Sequence, residues 1–338
     1  MVWRPIRIKK TYGSIRSEFN LNNKVKLSRT LMIVTLGILL ALVAAYVPML
    51  GILSSVIPVP YAIIGTLTDN KYSILSLIIT FFVLMLGVDP VYSVSICIVS
   101  ALPGIVIGSV VRANMKSDEC NKFEPIYMGT IVAVVSIIIF YVVSNIVFKT
   151  NILDSFTSIM KEAISSQTEL LKSSGLNLAS GAKIEDLIDS ISNMLPTMLI
   201  FQGMIVAFIT YYLEVFILKR IKTLNVEFPK FREFYLPGNA IIISFMLYLL
   251  VLFIEFIGVK LHTDLIMMNL QLVFSFMFMI QGIAVAIHYF NKWFRGRENK
   301  KVFISGFILC IFGFMGISFV GMLDSIIDFR KVRSYKST

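Results

Sequence analysis

Apolar stretches long enough to cross a bilayer recur along almost the whole chain, and no other feature restricts its fold as much. The first spans residues 31 to about 50, and others follow at about 51–67, 73–88, 91–111, 125–148, 194–218, 238–259, 265–290 and 302–323. A hydrocarbon core about 30 Å thick is crossed by about 20 helical residues. Backbone inside it has to satisfy its own hydrogen bonds, which helices do and open loops do not. The expected fold class is therefore all-α, a polytopic membrane helical bundle with roughly eight or nine transmembrane helices. Composition agrees: 57% of the 338 residues are hydrophobic and 15% charged, whereas soluble domains carry about a quarter charged residues.

Prolines break the pattern at readable places. Pro58 and Pro60 each remove a backbone donor, so the second stretch is expected to be a broken helix or a re-entrant segment. Asp89-Pro90 separates the third stretch from the fourth, and Pro103 is expected to kink the fourth. Across 149–193 the character changes. Ile152, Phe156, Ile159, Ala163 and Leu170, then Ile184, Leu187, Ile188 and Ile191, recur at near-helical spacing among polar residues. Two amphipathic helices broken near 173–181 fit that pattern. The chain divides into a basic arm (1–30), an amino-terminal transmembrane core (31–148), an amphipathic insert (149–193), and carboxy-terminal transmembrane helices with a tail (194–338).

Lysine and arginine set the expected orientation, because they collect on the cytoplasmic side. The arm carries Arg4, Arg7, Lys9, Lys10, Arg16, Lys24, Lys26 and Arg29 against the single acid Glu18. With the amino terminus inside and the second stretch spanning, the groups at Arg112–Lys122, Lys219–Arg232 and Lys292–Lys301 fall on the same side. The insert then lies outside. A ninth span would carry Arg330, Lys331, Arg333 and Lys336 outside, against the same rule. The net charge of +11 is thus spread over the arm and inner loops. That distribution suits a bilayer with anionic lipid and not a nucleic acid. The expected location is a bacterial cytoplasmic membrane.

Chemistry is sparse. Two histidines and three scattered cysteines build no multi-histidine metal centre and no disulfide framework. The chain has no phosphate-binding glycine loop with its lysine, no His-Glu-x-x-His, no Cys-x-x-Cys pair and no serine elbow. We expect no enzyme activity, no cofactor and no metal. An ionised side chain within a bilayer is costly and marks a functional site by default, which singles out Glu214 and Glu255 as candidates for lining a substrate cavity. Each is also near enough to basic residues, Lys219 and Arg220 or Lys260, to snorkel and pair. Gln202 and Gln281 join the cavity candidates, although intramembrane amides serve equally as structural glue. Gly37, Ala41 and Ala45 form a small-residue stripe on the first helix, suited to close approach by another helix, internal or from a partner.

Further residues carry a family likeness. These are Leu195-Pro196 opening a helix, the exit from Tyr211-Tyr212 to Lys219-Arg220, Pro229, Phe231, Leu236-Pro237, and the ending Gly321, Asp324, Asp328-Phe329-Arg330-Lys331. With them the chain resembles the YybS-like family of bacterial integral membrane proteins, also described as a domain of unknown function. More faintly, the amino-terminal half is similar to substrate-capturing subunits of energy-coupling-factor transporters. It shares with them the Ala41 and Ala45 stripe and the Pro103-Gly104 to Gly108 helix leading to Arg112. That second resemblance implies a substrate-binding transport subunit without its own ATPase, partnered by an energy-coupling membrane subunit and ATPases. The competing expectation is a non-transporting scaffold or regulator that works through the basic arm and the Asp-Phe-Arg-Lys ending.

Overall fold

The computed structural model describes residues 27–115, 121–173, 184–221, 229–258, 262–293, 313 and 315–332. Every regular element among them is helical. Among the described residues, four helices are long and apolar enough to cross a membrane: Pro90–Asn114, Glu124–Val147, Leu195–Arg220 and Thr263–Lys292. Shorter apolar helices accompany them at Thr30–Tyr46, Ile52–Leu67, Asn70–Met85, Ala240–Phe256 and Met315–Ile327.

The distribution of side chains is that of a protein bathed in lipid. Ile52, Leu86, Ile131, Ile242, Phe245 and Phe256 stand on the surface, while Ser76, Thr80, Ser93, Ser136, Ser144, Thr210, Glu214 and Gln281 are fully buried. In water this arrangement would expose far more contiguous apolar surface than a soluble monomer shows. In a bilayer it costs nothing to leave leucine outside, and helices meet through small and polar residues.

Helix α1 (Leu27–Tyr46) buries Val34, Ile38 and Ala41 and leaves Met32, Leu36 and Leu39 outside. The proline-rich stretch that follows is a broken helix. A 3₁₀ segment, Pro48–Val56, leads into α2 (Pro58–Leu67), whose first turn accepts proline because its N–H groups have no helical partner anyway. After α3 (Asn70–Met85) the chain turns, and the Asp89 side chain accepts a 2.7 Å hydrogen bond from Val91 N to open α4 (Pro90–Ser95). Ahead of Pro103, where a kink was expected, the structure has a π-helical turn, Ile96–Ala101. Pro103 offers no N–H to the preceding turn, and Leu102 N reaches back to Cys97 O, five residues away.

Helix α5 (Leu102–Asn114) then packs on α2 backbone to backbone. A Cβ on Gly104 would lie 2.3 Å from Pro58 O, one on Gly108 1.9 Å from Ala62 O, and one on Gly65 2.4 Å from Ile105 O. Helix α6 (Glu124–Val147) follows, with Gly129 against Ile107. Helix α9 (Leu195–Arg220) completes the inner group, with Gly203 against Ala133. The insert forms α7 (Ile152–Ser173) and α8 (Ile184–Asn193), the two amphipathic helices read from the sequence; the expected break between them lies outside the described residues.

Beyond α9, α10 (Ala240–Phe256) presents most of its length outward, and α11 (Thr263–Trp293) runs back beside the inner group. The last described helix, α12 (Met315–Ile327), follows Gly313, whose φ of +59° favours glycine. Ser318 donates to Ser275 O at 2.6 Å and Gln281 to Asp324 Oδ2 at 2.8 Å, both at a separation of 43 residues. That constant offset means α12 runs parallel to α11, joined by the close approach of Gly321 to Phe278 O and of Gly282 to Ile317 O. The sequence left the side of the tail open, since a ninth span would have carried Arg330 and Lys331 away from the other basic loops; in the structure Arg330 lies against the carbonyls of Arg232 and Phe234. The tail charges at 330 and 331 thus share one basic end of the bundle with Arg232, as a charge-sided membrane protein requires. The remainder of the 302–323 stretch lies largely outside the described residues.

Candidate functional site

Among the described residues, the buried charged side chains fall into two polar groups on different sets of helices. The first is centred on Glu214, fully buried on α9, six residues or about 9 Å of helix before Arg220. Its Oε1 meets the Thr66 hydroxyl from α2, and Thr66 Oγ1 also lies 2.9 Å from Gly108 O on α5. The glycines explain how the three helices converge. Without a side chain at Gly65 and Gly108, α2 and α5 approach until the carbonyl of one meets the hydroxyl of the other. Glu214 Oε2 has no hydrogen-bond partner among the described residues, and neither has the buried Thr210 hydroxyl one turn earlier on the same face. Leu218, on the following turn, packs with Val59 and Ile63 and closes this region toward the basic end.

The second group joins α11, α12 and the loop before α10. Arg330 and Asp324 form a buried ion pair at 2.8 Å. The guanidinium also donates to Arg232 O at 2.8 Å and Phe234 O at 2.7 Å. Gln281 donates to Asp324, while its Oε1 accepts from Leu236 N at 3.0 Å and from the Ser325 hydroxyl at 2.8 Å. Asp328, at φ +46°, turns the chain after α12 and accepts from Val332 N. Aromatic rings fill the adjoining space: Phe234 lies 5.2 Å from Phe123, 5.3 Å from Phe208 and 6.0 Å from Phe231 between ring centroids. Every polar group of this set finds a partner, so its geometry is that of a fastening and not of an empty binding site.

The four cavity candidates are therefore not brought together. Glu214 and Gln281 are buried in separate networks, whereas Gln202 and Glu255 are exposed on the outer faces of α9 and α10. Glu255 stands at the far end of α10 from the loop that meets Arg330. Of the docking candidates, Gly37 is pressed against the Tyr61 ring and Ala41 is fully buried with its carbonyl accepting from Tyr92; Ala45 is partly exposed. The outward face of α1 consists instead of Leu36, Leu39 and Val43. Among the described residues no group of three His, Cys, Asp or Glu side chains could hold a metal ion.

Sequence reasoning missed Thr66, and it treated Arg330 as one more tail charge. The only signal for Thr66 was its place beside Gly65 in the proline-broken stretch. The signal for Arg330 was stronger, since the residues that carried the family likeness assemble at this end of the bundle. Tyr211 donates to Lys122 O at 2.6 Å, Phe231 stacks on Phe234, Leu236 binds Gln281, and Asp324 binds Arg330.

At the basic mouth of the bundle, Arg112 donates to Thr68 O and, at 2.6 Å, to Asn70 Oδ1, tying α5 to the turn between α2 and α3. An open groove of about 320 Å³ runs from there between α3 and α5 over Ile74, Leu77, Leu102 and Ile105. Neither polar group opens into it.

Comparison with known proteins fits this architecture. The family model described as "Predicted membrane protein (DUF2232)" matches residues 35–325. "Uncharacterized protein YybS" of Bacillus subtilis (strain 168) is 23% identical over 316 residues, which cover 89% of this chain and 97% of that protein. No solved structure matches. A match that runs from α1 into α12 takes in the Glu214 group and, of the second group, Gln281, Asp324 and Ser325, and the chain belongs to the DUF2232 family of membrane proteins.

Proposed function

We propose that the chain is a transport protein or substrate-binding transport subunit, with a path for a polar solute past Glu214. The observation that carries this reading is a fully buried carboxyl, one oxygen of which has no partner among the described residues, at the meeting of three membrane helices. Discontinuous helices support it, since transporters place binding groups where helices break. Helix α2 follows a 3₁₀ segment and α5 follows a π turn. The faint likeness of the first half to substrate-capturing subunits of energy-coupling-factor transporters points the same way.

In full, the proposal is a bacterial plasma-membrane protein of eight spans, the lower of the two expected counts, because Arg330 returns the chain to the basic end. The amino terminus and basic end are cytoplasmic and α7 and α8 lie outside. The chain has no catalytic activity of its own. No ATP-binding loop is present in the sequence, so the energy comes from partner ATPases with a coupling membrane subunit, or from an ion gradient. A coupling subunit would meet α1 through Leu36, Leu39 and Val43, because Gly37 and Ala41 are engaged internally.

The test is ligand-dependent stabilisation of the purified full-length chain across a panel of small polar metabolites. A true ligand at about 100 times its Kd adds about 2.7 kcal/mol to stability. The reading predicts a saturable rise in Tm with at least one compound, lost in Glu214→Gln. A chain stabilised by none, and recovered from native membranes only with envelope-assembly or regulatory proteins, would instead be a scaffold.

A further inference from the structure

The Thr66 hydroxyl has one hydrogen and two neighbours that both want it. Gly108 O is 2.9 Å away, and Glu214 Oε1 lies on the other side. An ionised carboxylate only accepts hydrogen bonds, a hydroxyl donates one, and a backbone carbonyl only accepts. With Glu214 ionised and nothing bound, one contact has no hydrogen in it. The set closes when the carboxyl oxygen carries a proton that Thr66 accepts while Thr66 donates to Gly108 O. It closes equally when a small cation sits on the carboxylate.

Two further oxygens point to such an occupant. Glu214 Oε2 and Thr210 Oγ1 are buried, on the same face one turn apart, and have no partner among the described residues. Together with Thr66 they supply carboxylate and hydroxyl oxygens, the hard ligands that hard cations take. No cation among the described residues forms an ion pair with Glu214. The ion pairs among the described residues are Arg330 with Asp324 and Arg232 with Glu233. On α9 and the elements packed against it, Asp189 of α8 is exposed, Tyr141 of α6 and Tyr212 of α9 are half-buried, and other titratable groups are engaged elsewhere. Tyr61 on α2 bonds Thr80, Arg112 on α5 bonds Thr68 and Asn70, and Tyr127 on α6 bonds Tyr235 O. On α11, Tyr289 bonds Phe329 O, and Lys292 and Asp264 are exposed; Glu124 of α6 and His288 of α11 are half-buried and form no ion pair with Glu214. On α9 itself Tyr211 bonds Lys122 O, and Lys219 and Arg220 are exposed beyond Leu218.

We propose that Glu214, Thr66 and Thr210 form an exchangeable site for one small monovalent cation, a proton or a sodium ion. The exchange balances: Glu214-COOH and Na⁺ give Glu214-COO⁻·Na⁺ and H⁺, with no change of net charge inside the bundle. This deepens the transport reading and rests on it only for purpose, since the ion site would supply the chain with a gradient as its energy source.

Infrared difference spectroscopy on the full-length chain in detergent, in sodium-free choline buffer, tests the site without requiring a reagent to reach it. Adding sodium chloride, with potassium chloride as control, is expected to remove a protonated-carboxyl carbonyl band and raise carboxylate absorption. Glu214→Gln should lack this change while eluting as a monodisperse folded species. If sodium is the occupant, its half-saturation concentration rises about tenfold for each unit the pH is lowered, because one proton is released per ion bound. If the proton alone is the occupant, the band responds to pH and not to sodium. Thr66→Val keeps the carboxyl but removes its hydroxyl partner, and should shift the band and weaken sodium binding about tenfold. A Glu214-dependent band that answers to neither sodium nor pH overturns the proposal, as does the absence of any such band. A band that responds in a chain that no metabolite stabilises would keep the ion site and remove the substrate path. A stabilising metabolite without a responsive band would do the reverse.

Discussion

At the scale of single residues, the Asp324–Arg330 pair is the strongest polar fastening among the described residues. The guanidinium is buried and serves three acceptors at once: a carboxylate and two loop carbonyls. Removing one member of a buried pair leaves the other charge uncompensated, at a cost of about 3–5 kcal/mol. Arg330→Ala and Asp324→Ala should each lower the thermal unfolding midpoint in mild detergent by that order. Lys331→Ala, at an exposed neighbour, should stay within about 0.5 kcal/mol of the parent. Because the two partners share one network, the double variant should cost much less than the two single costs added together. Sequence alone separated Glu214 and Gln281 from the background, since a carboxyl or amide inside an apolar run stands out. It could not separate Gln202 and Glu255 from them, because which face of a helix turns inward depends on neighbours far along the chain. Thr66 was invisible for a different reason: a threonine is inexpensive in a membrane helix and so carries no signal of its own.

At the scale of elements, the contact of α2 with α5 holds the Glu214 region together, and glycine is what permits it. A methyl at Gly108 would stand 1.9 Å from Ala62 O and 2.8 Å from Thr66 N, both backbone atoms that cannot turn aside. Gly108→Ala should therefore push the helices apart at a cost of about 1–3 kcal/mol or more and disturb the Thr66 hydroxyl. Gly87→Ala, whose methyl would meet only the Leu42 side chain at 3.7 Å, should be close to neutral. The comparison is read as the monodisperse fraction and Tm of each purified variant. A Gly108→Ala chain as stable as Gly87→Ala would mean that α2 and α5 do not touch as described. Proline placed the break before α2 correctly because it removes a donor at a known position. It did not foretell the π turn before α5, since an extra residue in a turn leaves no mark in the order of apolar residues alone.

 Ile96, Cys97, Ile98 and Val99 read the same whether the turn closes over four residues or five.

At the scale of the whole molecule, two features organise the bundle: an apolar outer surface and one end on which the described basic residues Arg112, Lys219, Arg220, Arg232, Lys292 and Arg330 gather. The all-helical, membrane-bound character was legible because long apolar runs need helical backbone, and four of the apolar helices among the described residues are long enough to cross a bilayer. The direction of α12 was not. It depends on Gly282 and Gly321 meeting the carbonyls of the opposite helix, and on Arg330 finding Phe234 O, which are contacts between residues distant in sequence. The central claim is that the buried Glu214 region lies on a path that opens to water. Thr210, one turn away and fully buried, reports on that path without altering the carboxyl. With Cys97, Cys120 and Cys310 replaced, Thr210→Cys in unsealed membrane fragments, open to reagent from both faces, should react with a small hydrophilic thiol reagent, more slowly than Lys219→Cys at the exposed end of the same helix. A Thr210→Cys chain that stays unmodified while Lys219→Cys reacts to completion, and that reacts only after unfolding, would contradict the account and leave Glu214 a packing residue.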